Sequence, residues 1–176
     1  NLTFMTRCMV GIIDGVGELA RFGDVTEPEL RINWEKLDTV LDYIIAFLRH
    51  EAYIVEDQDL ATPYVLVPLV VYLARHEWFN QSEARRFLYW LYAALYQRRY
   101  SGSLETRLDQ DISSLLDELD PDSLTTNLKE DKGDPVISPG NLDMRGVGHP
   151  LYNMMSIVIR ARGAVDWANG LALADN

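Results

Sequence analysis

The feature that most restricts the fold is an unbroken run of aromatic and aliphatic residues at positions 87–96. It reads Phe87-Leu-Tyr-Trp-Leu-Tyr-Ala-Ala-Leu-Tyr96 and follows Ser82-Glu-Ala-Arg85, which has a capping residue and an early acid typical of a helix start. A helix over this run is apolar on every side, and such a helix belongs in the centre of a bundle. The run therefore predicts a buried central helix.

Periodic apolar residues predict further helices on both sides of this run. Thr26 and Pro28 begin one that continues to about His50, with apolar residues every three or four positions. A kinked buried helix is predicted from Thr62-Pro63 onward; its β-branched residues also permit a strand, although Pro68 argues against a central one. The other predicted helices cover residues 2–22, 104–119, 120–129 and 150–160.

The residues between the last two predicted helices are rich in Gly and Pro, which predicts one long turn-rich loop near 130–148. Ser103 is predicted to cap the helix that begins at Leu104, after a turn at Gly102. We expect an all-α fold, an irregular bundle of six or seven helices.

The length of 176 residues suits a single helical domain covering the whole chain. The first residue is Asn1, within an apparent helix, and the last residues close no evident unit, so we expect a fragment from the middle or C-terminal half of a longer chain. The longest nearly uncharged stretches are shorter than the roughly 20 residues that span a bilayer. We therefore expect no membrane partner and a cytoplasmic location, which the lone Cys8 also fits.

Charge restricts nucleic-acid binding to a local contact, because the formal net charge is −11. The basic residues between positions 59 and 107 are all arginine, and three of them flank the turn at Gly102. A helix N-terminus with arginines can bind an anion. The candidate anion or DNA-phosphate contact comprises Arg98, Arg99, Ser101, Gly102, Ser103 and Arg107. The alternative, which the many nearby carboxylates favour, is that these arginines pair with Glu105, Asp109 and Asp111.

The sequence holds no recognisable catalytic or metal-binding pattern. Its three histidines are far apart, the acids around residue 120 lack calcium-loop spacing, and the glycines at 11, 15 and 17 follow no strand that could precede a phosphate loop. Cys8 lies in an apolar run and is expected to be a buried side chain. We therefore expect no catalytic residues, no metal and no cofactor, and no enzyme activity from this segment alone.

Two stretches carry a family resemblance. Residues 99–112, Arg-Tyr-Ser-Gly-Ser-Leu-Glu-Thr-Arg-Leu-Asp-Gln-Asp-Ile, and residues 162–170, Arg-Gly-Ala-Val-Asp-Trp-Ala-Asn-Gly, resemble the helical region of the GmrSD-type family of bacterial phage-defence proteins. The Trp34-x-x-Leu37 helix and residues 62–69 are also similar to that region. In the second stretch, Asp166 and Trp167 are expected to form a helix-end packing element.

The resemblance implies a multidomain parent protein. In that family an N-terminal ParB/sulfiredoxin-like domain carries the DGQQR motif and is associated with nucleotide hydrolysis, and a His-Asn-His nuclease often follows the second stretch. Neither motif occurs in this chain, so the resemblance gives no catalytic residue to carry over. It implies the helical middle of a restriction-like protein that acts as a nucleotide-dependent endonuclease.

Two functions follow as hypotheses. In the first, the chain positions or couples the flanking domains of its own protein and contacts DNA phosphate through Arg98, Arg99 and Arg107. In the second, it is a protein-interaction or oligomerisation scaffold with no nucleic-acid role. That scaffold would bury an apolar face of the helix over residues 2–22 against another subunit, and a homo-oligomer is one form of it.

Overall fold

The computed structural model describes residues 1–76, 78–142, 146 and 149–173. The described residues form α-helices and 3₁₀ turns, with one isolated antiparallel bridge between Val165 and Ala172, so the predicted all-α bundle is confirmed. The helices are α1 (Leu2–Asp14), α2 (Glu27–His50), α3 (Val67–Arg75), α4 (Gln81–Tyr96), α5 (Leu104–Glu118), α6 (Asp122–Lys132), α7 (Pro139–Leu142) and α8 (Pro150–Ala161). The 3₁₀ turns cover Leu19–Asp24, Asp57–Asp59 and Pro63–Leu66.

The helix at the centre of the bundle is α3. Every residue from Val67 to Ala74 is buried, and α3 packs against α1, α2 and α5. The aromatic helix α4 was expected in this place, but it is buried along one face only, with Phe87 and Trp90 fully covered and Tyr89 half exposed. Tyrosine tolerates this position because its hydroxyl stays in water while its ring covers apolar surface.

The entry to α3 resolves the alternative of helix or strand for this segment. The chain passes from the 3₁₀ turn at Pro63–Leu66 directly into α3, and Pro68 lies in the first turn of that helix. Proline costs little there because the first helical N–H groups have no partner within the helix. A buried helix is confirmed from Val67 onward, but its predicted first part, Pro63–Leu66, is a 3₁₀ turn and Pro68 lies at the start of the helix rather than at a kink; the strand alternative is wrong.

The first predicted helix, over residues 2–22, is wrong in its length. α1 ends at Asp14 because Gly15 adopts a left-handed φ of 74°, and a separate 3₁₀ turn follows at Leu19–Asp24. A β-carbon on Gly17 would lie 2.5 Å from the Cβ of Leu108. Only glycine therefore allows this connection to approach α5 so closely.

One helix start and one predicted cap differ from the sequence-based expectation. α4 begins after Asn80 rather than at Ser82, because the Asn80 side chain accepts hydrogen bonds from the backbone N–H groups of Ser82 (2.9 Å) and Glu83 (3.0 Å). Ser103 precedes α5 as expected, but within the described part of the chain its side chain makes no capping hydrogen bond. The bounds predicted for α2 are confirmed, with the Glu29 carboxylate accepting from the backbone N–H of Thr26 at 2.9 Å.

The predicted loop near 130–148 is shorter than expected at its start. α6 continues to Lys132, and the helical turn α7 lies inside the predicted loop. Residues 143–145, 147 and 148 of this loop lie outside the described residues. The extra turn of α6 carries Asp131, whose ion pairs with Arg99 and Arg107 hold it against the bundle.

The last helix is attached by a buried ion pair. An Asp59 carboxylate oxygen lies 2.5 Å from Nη1 of Arg160 and also accepts from two backbone N–H groups, those of Val55 and Glu56. A short hairpin over residues 162–173 follows α8 and leaves Trp167 99% exposed. The expectation that Trp167 is a packing element is therefore wrong within the described residues.

No helix in the described part of the chain is long and apolar enough to cross a membrane.

Candidate functional site

A buried ion pair lies at the centre of the arginine-rich segment that follows α4. Arg99 and Asp111 have fully buried side chains, and the guanidinium donates through Nε (3.2 Å) and Nη2 (2.9 Å) to the two oxygens of the carboxylate. Asp111 also accepts from the Tyr100 hydroxyl at 2.7 Å and from the Asn127 amide at 3.1 Å. Because each carboxylate oxygen has two donors, the buried charge is fully compensated.

A second carboxylate joins this network from α6. Asp131 lies 3.0 Å from Nη1 of Arg99 and 3.1 Å from Nε of Arg107. Arg107 also donates to the backbone carbonyls of Arg99, at 2.9 Å, and of Ser101. The two arginines therefore hold α5, α6 and the turn after α4 together.

The protonation behaviour of these groups follows from the same contacts. Burial works to lower the pKa of Arg99, but its hydrogen bond and attraction to Asp111 outweigh burial and raise the pKa. Burial first, and then the charge of Asp111, raise the pKa of the Tyr100 hydroxyl well above its ordinary value. Burial works to raise the pKa of Asp131, but Arg107, Lys132 and Arg99 together lower it.

The pairing alternative from the sequence is confirmed for one of its three acids. Asp111 pairs with Arg99, but Glu105 lies 2.9 Å from the buried Arg7, and Asp109 accepts from the backbone N–H of Gly17. Asp131 replaces these two acids as the partner of Arg107. It was not predicted because the sequence places it in a loop and not on α6.

A cavity of about 400 Å³ opens beside the C-terminus of α4. Its described polar lining comes from the 3₁₀ turn before α3, the turn after α4, and α8: Thr62, Arg98, Arg99, Ser101 and Asn153. Its described apolar lining is Ala61, Val65, Ala94, Leu95, Tyr100 and Pro150. The volume lies within the range of small-molecule sites.

The candidate anion-binding residues from the sequence divide into two groups. Arg98, Arg99 and Ser101 line the cavity, whereas Gly102, Ser103 and Arg107 do not line it. Gly102 and Ser103 are exposed in the turn, and Gly102 has a left-handed φ of 98°. The structure therefore brings the first three together at one wall.

Arg98 has an unusual backbone conformation. Its φ is 51°, in the left-handed region, and the next residue donates its N–H to the Ala94 carbonyl at 2.9 Å. This is the end of a helix at which glycine is the common residue, because a Cβ in this region costs about 1 kcal/mol or more. A charged residue therefore stands at this wall of the cavity at a cost to stability.

Thr62 and Asn153 are cavity residues that the sequence did not indicate. The Asn153 amide donates to the Gln58 carbonyl at 2.7 Å, and the Thr62 hydroxyl accepts from the backbone N–H of Tyr64 at 3.4 Å. Each lies in a helix or turn distant in the chain from Arg98. No local spacing could have grouped them.

The described residues include no cluster of three or more His, Cys, Asp or Glu side chains that could hold a metal ion. Cys8 is fully buried, and burial raises the pKa of its thiol. A thiol in this environment is a poor nucleophile.

Comparison of the chain with protein-family models, curated proteins and solved structures gives no match.

Proposed function

We propose that this chain is a non-catalytic helical domain of a multidomain, DNA-targeting protein of the restriction type, in which it positions the flanking domains by packing against them. The observation that carries this proposal is the apolar surface of α8 and of the hairpin that follows it. Four apolar residues of α8 are between 44% and 53% exposed: Tyr152, Met155, Val158 and Ile159. Apolar surface of this kind, exposed on one helix, is typical of a contact with another protein surface.

The hairpin extends this apolar surface. Val165 and Leu171 are about half exposed, and Trp167 is 99% exposed at the hairpin tip. A tryptophan side chain can bury 150–250 Å² and often dominates the energetics of an interface. The α8 surface, defined as the four residues above with Val165, Trp167 and Leu171, is therefore our candidate for the interdomain contact.

The restriction-type assignment rests on the resemblance to the GmrSD-type family. The stretch over residues 162–170 that carries part of the resemblance is also the stretch that displays Trp167. In that family a nuclease domain often follows this stretch. A flanking domain of the same protein is accordingly the partner that we propose for the α8 surface.

Chemical footprinting of the native gene product tests this proposal. We expect Trp167 and Met155 to oxidise several-fold more slowly in the native protein than in the isolated 176-residue chain, because the partner domain would cover them. Trp34, which is 54% exposed on α2, serves as the reference and should oxidise equally in both. The intact mass of the native protein, measured on the same sample, shows whether further domains are present. Equal oxidation of Trp167 in the two samples would refute the interdomain contact.

A DNA contact remains part of the proposal in a narrower form. Arg99 is buried and Arg107 is half-buried, whereas Arg98 is exposed to solvent, so Arg98 is the arginine of this segment that we propose for phosphate contact. Binding of duplex DNA at low salt should weaken on Arg98→Gln and stay unchanged on Arg85→Gln, which removes another exposed arginine from α4. Equal losses of DNA affinity in the two variants would mean that the effect comes from net charge alone, and would refute a specific contact at Arg98.

The surface predicted for the scaffold alternative was an apolar face of the helix over residues 2–22. The apolar face of α1 that contains Phe4, Cys8, Met9 and Ile12 is buried in the core of this chain, so it is not available to another subunit; Leu2, at the start of α1, is 84% exposed. Trp34 and Ile45, which are 54% and 57% exposed, lie on the same side of α2 and make that side the corresponding surface for self-association. Sedimentation of wild type and Trp34→Ser would test it, with a concentration-dependent dimer expected only for wild type.

A further inference from the structure

We infer that the side of α2 that carries Trp34 and Ile45 binds a basic amphipathic helix of another protein. The scaffold alternative has a second copy on this side of α2, but the charges around it favour a partner of opposite sign. This contact is separate from the interdomain contact and from the DNA contact, because those use the α8 surface and Arg98. Since the partner is another protein, Trp34 stays exposed in the purified native gene product.

The apolar part of this side is a strip along the axis of α2. Trp34 and Ile45 are 54% and 57% exposed, and the half-buried Leu41 lies between them in the helix. At about 3.6 residues per turn, these three residues fall within about 40° of one another around the helix, and the strip is about 16 Å long. A partner helix of about three turns matches this length.

The strip ends at a surface depression of about 120 Å³. Its described apolar lining is Ile45, Leu48, Ile54, Val55 and Leu60, and its described polar lining is Arg49, Glu56 and Asp57. A cavity of about 150 Å³ holds one benzene ring, so this depression accepts one aliphatic side chain of a partner. Side chains that fill such a pocket contribute much of the binding energy of an interface.

Unpaired carboxylates border this strip. Asp38 and Asp42 are exposed one turn apart on α2, and Asp57 is exposed at the rim of the depression. Within the described part of the chain, none of these three carboxylates forms an ion pair. Arg49 is a cation on the same rim, which leaves the border of the strip with an excess of negative charge.

The sign of this charge decides between the two occupants. A twofold contact between copies places each surface against itself, so the excess of carboxylates would face an equal excess and repel it. A partner with lysine or arginine beside its apolar residues meets the same carboxylates with opposite charge. A helix is the form of partner that fits, because the strip follows a helix axis and α2 offers no strand edge for an extended peptide.

Titration of the full chain with two synthetic peptides, followed by two-dimensional ¹H–¹⁵N NMR, tests the inference. The first peptide is an amphipathic helix of leucine and lysine, and the second is the same helix with glutamate in place of lysine. We expect the lysine peptide to shift the signals of the Trp34 indole and of the Ile45 and Ile54 amides, and the glutamate peptide to shift none of them. No shift with the lysine peptide, or equal shifts with both peptides, would overturn the inference.

Two serine variants test the apolar strip. Ile45→Ser should weaken binding of the lysine peptide about tenfold, because it removes an apolar side chain that the partner would cover. Ile32→Ser is the matched control, since Ile32 is 75% exposed on the opposite side of the same helix, and it should bind as wild type does. Both side chains are exposed, so the urea midpoints should stay close to that of wild type. Equal affinity of the two variants would place the peptide elsewhere and overturn the inference.

Two charge-reversal variants test the carboxylates. Asp38→Lys combined with Asp42→Lys should weaken binding of the lysine peptide about tenfold, because two attractions become repulsions. Asp117→Lys combined with Glu118→Lys changes the net charge equally at exposed sites on α5. At physiological salt, where distant charges are screened, this control should change the affinity by less than about twofold. Equal losses in the two double variants would mean that net charge alone drives binding, and would overturn the inference.

Sedimentation of the same samples detects the other occupant. We expect wild type to be a monomer in the absence of peptide. A dimer of wild type that Ile45→Ser abolishes, together with no binding of the lysine peptide, would assign this side of α2 to a second copy and overturn the inference. The footprinting of Trp167 is independent of this result, so the basic partner and the interdomain contact can fail separately.

Discussion

Replacement of Asp111 by Asn should destabilise the fold severely. The carboxylate is fully buried and accepts from Arg99 twice, from Tyr100 and from Asn127. An amide of the same shape has one oxygen, so it cannot accept from all of these donors, and it leaves the Arg99 charge without its closest partner. Breaking a buried ion pair in this way costs about 3–5 kcal/mol.

The lower end of that range applies here, because Asp131 remains 3.0 Å from Arg99 and compensates part of its charge. We therefore expect the free energy of unfolding to fall by about 3 kcal/mol, which for a domain of this size lowers the melting temperature by about 6–12 °C. Ser113→Ala, at an exposed site on the same helix, is the matched control and should change stability by less than about 0.5 kcal/mol.

Urea unfolding measured by circular dichroism and by tryptophan fluorescence, to which the fully buried Trp90 contributes, gives the free energies. A double-mutant cycle with Arg99→Gln then isolates the pair: the double variant should lose less stability than the sum of the single variants by about 1.5 kcal/mol or more. A loss of less than about 1 kcal/mol of unfolding free energy in Asp111→Asn, or a coupling energy near zero between the two sites, would refute the assigned role of this ion pair.

Three further predictions follow from the contacts described above. The pKa of Asp131 is lower in the folded chain than in the unfolded chain, so its contribution to stability is present above the unfolded pKa and is lost as pH falls through the folded pKa. Urea midpoints below pH 5 should therefore depend less on pH in Asp131→Asn than in wild type, and parallel profiles would contradict this. The Cys8 thiol is fully buried, so a thiol reagent at pH 8 should react only as the chain unfolds, and rapid labelling of the native chain would show that the packing of α1 is wrong. Gly17→Ala should cost about 1–3 kcal/mol because the added Cβ meets Leu108, whereas Gly23→Ala, with open space around it, should be nearly neutral in the same urea assay.

The helices could be predicted because their signals are local. The cap and proline at Thr26 and Pro28, and the apolar period that follows them, lie within a few residues of each other and define α2. The wrong boundaries have local causes that periodicity does not detect. The apolar period continues past Asp14, but the left-handed Gly15 stops the helix. The Asn80 cap precedes the apolar run that suggested Ser82 as the start.

The candidate site could be predicted only in part, because it is built from distant segments. The arginine-rich turn was recognisable by its composition, and the pairing of Arg99 with Asp111 was among the predicted alternatives because the turn leads directly into the acid-rich α5. The cavity also needs Thr62 and Asn153, which are brought to Arg98 by the packing of α3 and α8. The strain at Arg98 is a property of the folded backbone and has no signature in the sequence.

The way in which α8 is attached has a consequence for how this chain moves. α8 packs on α4 and on the 3₁₀ turn at Asp57–Asp59, with few buried side chains besides the Asp59–Arg160 pair. The free energy needed to open an element held by so few contacts is smaller than that needed to open the core, so its amide hydrogens exchange sooner. Because Pro150 and Asn153 also line the cavity, detachment of α8 would remove one wall of it, and a molecule bound there would oppose this opening. Occupancy of the cavity and detachment of α8 are therefore thermodynamically linked: each makes the other less favourable.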